Sequence, residues 1–291
     1  MPALLRNSGR VHQYATEILE RSGGTFLFKG LWFTNMEMLI TSDPANFHYI
    51  LTTNFSNFPN KSWENQRRLT KSLINHTRFQ ELVATTSWNK LETGLIPILE
   101  LVSELGIEVD LQELFQRLAY DCTCILEGFD LLTSCMRALA KNGTPMISEE
   151  FWLGTMLNLI FAGIYLHGAL CEALRLFPAV PFQHKAPPEQ DILPRRMESI
   201  RGKDCLDFKA GRWISEFGCI KVEPSFKFTA FTAGRGSCLG KEMCFIHMKV
   251  ATTAIISRFH IPVAESHSIL PNSSVILHMK HDLKVKVSNY I

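Results

Sequence analysis

Apolar positions recur at helical spacing over most of this chain, interrupted near each end by short alternating runs. Val11 to Glu20 carries the repeat of an amphipathic helix and stops at Gly23-Gly24. Thr25 to Phe33 and Met36 to Ile40, rich in Phe, Leu and Ile between turn residues, predict a pair of strands. Asp43-Pro44 predicts a helix start, with aspartate as cap and proline where its missing N–H costs nothing. That helix runs through Phe47, Ile50 and Leu51, and the loop Asn54 to Lys61 follows. Ser62 caps the next helix, which carries Trp63, Glu64, Arg67 and Arg68 in its opening turns. Arg78 to Leu105 and Leu111 to Leu126 predict further amphipathic helices, the second capped by Asp110. After a helix with apolar positions at Met243, Ile246, Val250 and Ala254, the tail alternates again. Its runs Ser274 to His278 and Leu283 to Val287 predict a terminal hairpin.

The segment Glu149 to Phe177 departs from this pattern. No residue between Glu150 and Glu172 carries a formal charge, and Phe151 to Cys171 could span a bilayer on length alone. Against a span stand Asn158, His167, Gly154, Gly163 and Gly168, and an acidic pair, Glu149-Glu150, where basic anchors would be expected. The two readings are a buried core helix and a small membrane protein spanning at 151–171. Glu172 and Arg175 then follow on one helical face. On a surface such a pair is worth little. At the end of so apolar a helix, burial would require the arginine fork to be fully paired.

Composition narrows the class. The chain has 291 residues, 46% hydrophobic and 20% charged, as in ordinary globular proteins. Its net charge of +2 gives no reason to expect nucleic acid as a partner. Eight cysteines lie scattered without a paired framework, and the polar opening Met1 to Ser8 is no signal peptide, which predicts reduced cysteines and an intracellular setting. Cys122-Thr123-Cys124 lacks zinc spacing.

Chemistry concentrates in Phe231-Thr-Ala-Gly-Arg-Gly-Ser-Cys-Leu-Gly-Lys241, where a glycine-rich loop hands Cys238 to a helix start. Gly234, Gly236 and Gly240 would supply the positive φ angles of a tight loop. Inward-facing N–H groups and the helix dipole would stabilise a thiolate, either a nucleophile or a metal ligand. The bland alternative is a small buried cysteine beside a helix cap. Trp63 and Arg67, four apart, share a helical face and would otherwise read as a surface cation–π pair. Arg212 sits in an aromatic setting, Phe208 to Trp213.

Taken together these motifs resemble the cytochrome P450 family of haem-thiolate monooxygenases. Phe231-x-x-Gly234-x-x-x-Cys238-x-Gly240 is similar to its haem-binding loop, with Cys238 at the position of the axial iron ligand. Glu172-x-x-Arg175 resembles its buried pair, with Arg212 as third member of the structural triad, and Trp63-x-x-x-Arg67 matches the helix that faces a haem propionate. Ser62 to Arg68, Leu170 to Leu176 and Lys227 to Phe231 are similar to the plant branch that hydroxylates long-chain fatty acids and alkanes. The resemblance implies a single, mainly α domain over residues 1–291 with a small β region, an incomplete P450-like fold. It implies haem as cofactor, with Cys238, Trp63, Arg67, Phe231, Gly234, Arg235 and Gly240 holding it. It also implies an NADPH-dependent flavoprotein reductase as partner, a fatty acid or alkane as substrate, and the cytosolic face of the endoplasmic reticulum membrane as location. The cysteine thiolate would favour O–O cleavage once dioxygen is bound.

The chain also departs from that family. It is much shorter, and its opening residues give no expectation of a membrane anchor. Helices that would roof the substrate pocket are largely absent between Asp130 and Ile147. Ala162-Gly163 is followed by Ile164-Tyr165-Leu166-His167 instead of the family's proton-relay acid and threonine, so no catalytic residue is assigned there. Gly236 stands two residues before the cysteine, where the family has arginine, with Arg235 displaced by one. Ala210-Gly211 replaces the family's Pro-Glu before the triad arginine. The alternative function is therefore a catalytically inactive remnant, haem-binding or not. Helix faces that have lost partners predict exposed apolar surface.

Overall fold

A computed structural model describes residues 6–30, 37–55, 67, 70–72, 74–128, 166–183, 185, 206–224, 227–272, 274 and 276–290. The elements are helix α1 (Val11–Arg21), strands β1 (Thr25–Lys29) and β2 (Glu37–Thr41), α2 (Pro44–His48), α3 (Thr77–Lys90), α4 (Ile96–Leu105), β3 (Glu108–Asp110) and α5 (Leu111–Gly128). Residues 166–176 form α6. After them come α7 (Lys241–Ile256), β4 (Phe259–His260), β5 (Lys284–Lys286) and β6 (Ser288–Asn289). Among the described residues helix dominates and every sheet is two-stranded, in keeping with the fold class expected from the sequence. The Trp63 helix, the pocket-roof segment and the run 151–165 lie outside the described residues, apart from Arg67 and its near neighbours. Among those described, no helix is long and apolar enough to cross a membrane.

The chain divides into two compact units, and the boundary in the cysteine loop falls between Cys238 and Leu239. The first unit takes in residues 1–61, 168–238 and 271–278. Its β1–β2 hairpin runs from Thr25 opposite Thr41 to Lys29 opposite Glu37. The Asp43 carboxylate caps α2 by accepting the Ala45 N–H at 2.8 Å, as its position before proline predicts. A wide π-type turn, Tyr49–Thr53, extends α2 and buries Leu51.

The second unit takes in residues 62–167, 239–270 and 279–291. Its main core joins Leu91, Leu95, Leu99 and Val102 to Ala254, Ile255, Phe259, Val285 and Val287. The long predicted helix Arg78 to Leu105 is two helices separated by a π-type turn, Leu91–Leu95. Pro97, near the start of α4, has no N–H to donate back along the helix, so the preceding turn widens. Asp110 caps α5 through the Gln112 N–H at 3.0 Å and accepts the Leu283 N–H as well. Helix α7 meets α3 through Met243 and Ile246, beside Ile74, Phe79 and Val83. Ser87 of α3 and His247 Nδ1 of α7 close the same seam at 2.6 Å.

The terminal hairpin does not form among the described residues. Strand β5 pairs instead with β3, Val285 opposite Val109, and β6 pairs with β4. Alternation reported the correct buried face, since Val285 and Val287 are buried and Lys284 and Lys286 are exposed. It carries no information about which strand lies alongside. The anticipated exposed apolar surface is present on α4, where Ile98, Leu101 and Leu105 follow one another along an exposed face.

Candidate functional site

Glu172 of α6 is fully buried at 0% exposure, and every partner a buried carboxylate needs is in place. Arg175, one turn on, donates from Nε to Oε2 at 2.8 Å and from Nη2 to Oε1 at 2.9 Å, a bidentate fork. Arg212 Nε donates to Oε1 at 3.1 Å. The Lys209 backbone N–H donates to Oε1 at 3.0 Å, and the Trp213 indole N–H to Oε2 at 2.9 Å. The arginine fork also reaches the Asp207 carbonyl at 3.2 Å. Burial by itself would raise the carboxyl pKa. The Arg175 guanidinium, the Lys209 N–H and the Trp213 N–H outweigh it and hold the pKa at about 2.

The approach of the 209–213 segment to α6 depends on Gly168. A Cβ at Gly168 would lie 2.6 Å from the Ala210 carbonyl oxygen, so the short 3-10 turn Ala210–Trp213 lies against bare helix backbone. Gly168 and Ala210 thus let Arg212 and Trp213 reach Glu172. Arg175 and Arg212 were legible in the sequence as partners of this carboxylate; Lys209 and Trp213 were missed. A signal for Trp213 existed: an aromatic with a polar N–H in an apolar setting needs a buried acceptor when it packs inside.

From Trp213 the chain turns back towards the cysteine loop. The Trp213 ring meets Phe228 edge-on at 4.9 Å, and Phe228 meets Phe231 edge-on at 6.3 Å. The Phe231 carbonyl accepts the Cys238 N–H at 2.7 Å, closing the loop. Between them Ala233 is buried and Gly234 has φ +62°. A Cβ at Gly234 would overlap the Leu51 carbonyl oxygen, so glycine is demanded by space as well as by φ. Gly236 and Gly240 do not take the positive φ expected of them; the other left-handed residue of the loop is Thr232, at φ +55°. A β-branched residue there is strained, and its buried Oγ1 has no hydrogen-bond partner. The loop backbone also differs from expectation in one polarity. Cys238 spends its own N–H on Phe231 and cannot turn it towards its thiol.

Cys238 itself is an exposed free cysteine, which removes the buried-cysteine reading. Arg235 is exposed, Phe231 is half-buried, and Gly240 precedes the first turn of α7. Arg67 is a half-buried helical residue of the second unit, and Trp63 lies outside the described residues. Cys122 is buried, and burial with Asp121 beside it pushes its thiol pKa up, which suits no metal ligand. No group of three or more metal-ligating side chains forms among the described residues. A single available thiol suits a metal that arrives with its other ligands already supplied by a macrocycle, and in that sense the loop fits haem.

Comparison with known proteins defines the class first. The chain superposes on the heme domain of a cytochrome P450DA mutant with a TM-score of 0.65 at 14% identity, over 96% of this chain and 91% of that one, which is a likeness of fold. The family model for cytochrome P450 matches residues 203–287, the stretch that includes Arg212, Trp213 and the cysteine loop. Alkane hydroxylase MAH1 of Arabidopsis thaliana is 26% identical over 456 residues, an alignment that takes in 100% of this chain and 92% of that protein. Noroxomaritidine synthase of Narcissus aff. pseudonarcissus MK-2014 is 24% identical over 458 residues, covering 99% and 89% of the two chains. Over its whole length the chain is thus similar to proteins of the cytochrome P450 family, whose members are monooxygenases with haem as cofactor. Because 291 residues are spread over an alignment of 456, the length missing relative to the alkane hydroxylase is largely internal.

Proposed function

We propose that this chain is a haem-thiolate monooxygenase that hydroxylates a long aliphatic substrate, a fatty acid or an alkane. The observation that carries the reading is Cys238, an exposed thiol at the end of a loop closed by the Phe231 carbonyl and shaped by Gly234. When bound, haem supplies dioxygen activation, which a cysteine thiolate ligand promotes. The protein's own part is to present the Cys238 sulfur, with Phe231 and Gly234 fixing its backbone. Trp63 and Arg67 are the residues assigned to a propionate; Arg235, displaced by one from the family's arginine position, and Gly240 are the loop's further cofactor-binding residues. The aliphatic substrate rests on the stretches 62–68, 170–176 and 227–231 and on the similarity to the alkane hydroxylase. Overall identity does not choose it, since the noroxomaritidine synthase matches almost as well. A flavoprotein reductase drawing on NADPH would supply electrons, at the cytosolic face of the endoplasmic reticulum membrane.

A second reading, haem binding without turnover, is favoured by Ala162 to His167. That stretch carries no acid followed by threonine to relay protons to bound dioxygen.

Expression of the full chain and a reduced, carbon-monoxide-bound difference spectrum test the first step. A thiolate-type Soret band is expected, and its loss in Cys238→Ala identifies the ligand. Incubation with reductase, NADPH and a fatty acid or alkane then divides the readings. Hydroxylated product supports the monooxygenase, and a thiolate spectrum with no product leaves the second reading.

A further inference from the structure

We propose that Trp213 is a positioning residue for Cys238, connecting the buried carboxylate of Glu172 to the cysteine loop through two aromatic rings; its relevance to iron ligation rests on the haem-thiolate reading. Each step lies inside one compact unit. The Trp213 N–H is fixed on Glu172 Oε2 at 2.9 Å, which sets the plane of the indole. Its ring holds Phe228 edge-on at 4.9 Å with an interplanar angle of 68°. Phe228 holds Phe231 at 6.3 Å and 61°, both pairs within the range of favourable edge-to-face packing. Trp213 and Phe228 are buried, so neither ring can swing away without opening a void. The Phe231 carbonyl then receives the Cys238 N–H at 2.7 Å.

Such a connection is needed because the loop is not self-supporting. Thr232, directly after Phe231, carries a strained backbone and an unsatisfied buried hydroxyl, and would relax if Phe231 were released. Gly234 against Leu51 restrains the middle of the loop, and the Phe231 ring restrains its start. Glu172 is a suitable anchor because its own position is fixed by Arg175, Arg212 and the Lys209 N–H independently of Trp213.

The test is amide hydrogen exchange on the full-length apo chain carrying Trp213→Phe, which keeps a ring against Phe228 and loses the bond to Glu172. Exchange of the Cys238 amide is expected to rise about tenfold, the effect of losing one net hydrogen bond's worth of restraint. Amides of α4, in the other unit, should exchange as before. Phe228→Leu, which keeps the Glu172 bond and removes the ring contacts, should give the same local pattern and serves if Trp213→Phe does not fold. Unchanged exchange at Cys238, or an equal rise in α4, would overturn the proposal by reducing Trp213 to a general stabiliser. In the haem-loaded chain the same variants should shift the carbon monoxide complex away from the thiolate-type Soret band. A wild-type chain with no such band would sink the haem reading, and the apo exchange would still decide whether Trp213 positions the loop.

Discussion

Glu172 and Cys238 belong to the same compact unit and are held in opposite ways. Around the carboxylate everything is satisfied: burial is complete, donors approach from Arg175, Lys209, Arg212 and Trp213, and the pKa falls to about 2. Around the thiol the chain tolerates local cost: Thr232 is strained, its hydroxyl has no partner, and Cys238 is exposed. The difference matches what each is for. A buried charge has no stable halfway state, because leaving any one of its charged partners unpaired costs more than the pair contributes. On the proposed haem-thiolate reading, the thiol must stay open to its ligand, so the backbone beneath it is restrained while the sulfur is left uncovered.

The largest effect expected from breaking this contrast is at the saturated end. Glu172→Ala would take the buried carboxylate away from two guanidinium groups and an indole N–H, at about 3–5 kcal/mol, and denaturant unfolding of the full chain would show it. Acid provides the same test without mutation. Glu172 titrates at about 2 in the folded state against an ordinary 4.5, so its contribution is full above 4.5 and lost as pH falls towards 2. His167, lowered from 6.5 to about 4 by burial and then by Lys249 and Lys241, acts earlier: the unfolded chain takes up its proton first, and stability declines between those values as pH falls. His247, lowered by burial, acts in the same direction. Glu172→Gln should flatten the lower limb of the pH–stability curve, to which Glu223, lowered by its bond from Lys221, also contributes, and leave the upper one; loss of both would show that the carboxylate and the histidines do not titrate separately.

At the open end the strongest expected effect is smaller. Gly234→Ala puts a Cβ onto the Leu51 carbonyl at a positive φ, at a cost of about 2–4 kcal/mol, read from the same unfolding curves. Wild-type stability in the Gly234→Ala chain would mean that the loop does not lean on Leu51. The smallest effect has the opposite sign. Thr232→Gly removes a strained side chain and an unsatisfied hydroxyl, so stability should rise by about 1 kcal/mol. A fall would place the strain elsewhere.

Legibility followed the range of the interaction. Helix α1 begins at Val11, Asp43 and Asp110 cap the helices they precede, and α7 shows its apolar face at Met243 and Ile246, all as local pattern predicted. These depend on neighbours within a turn or two, where propensity and capping act. The terminal hairpin failed because its second run, as β5, found its partner in β3 far away in the chain, and alternation encodes a face without a partner. In the site, one pair three residues apart was readable as Glu172 and Arg175. Lys209 and Trp213 were not, since nothing local ties a backbone N–H or an indole to a carboxylate 37 or 41 residues earlier.

What the sequence alone determined is the inventory: the helical class, the glycine-rich loop ending in Cys238, the paired charges of α6 and the family they resemble. Those are properties of residue type and short spacing, which exist before the chain folds. Only the tertiary structure decided which glycine the loop needs, that Thr232 bears its strain, that Cys238 gives its N–H to Phe231, and that Trp213 joins Glu172. Each of those depends on an atom distant in sequence occupying a particular place, the Leu51 carbonyl oxygen or a buried carboxylate, and packing alone supplies that.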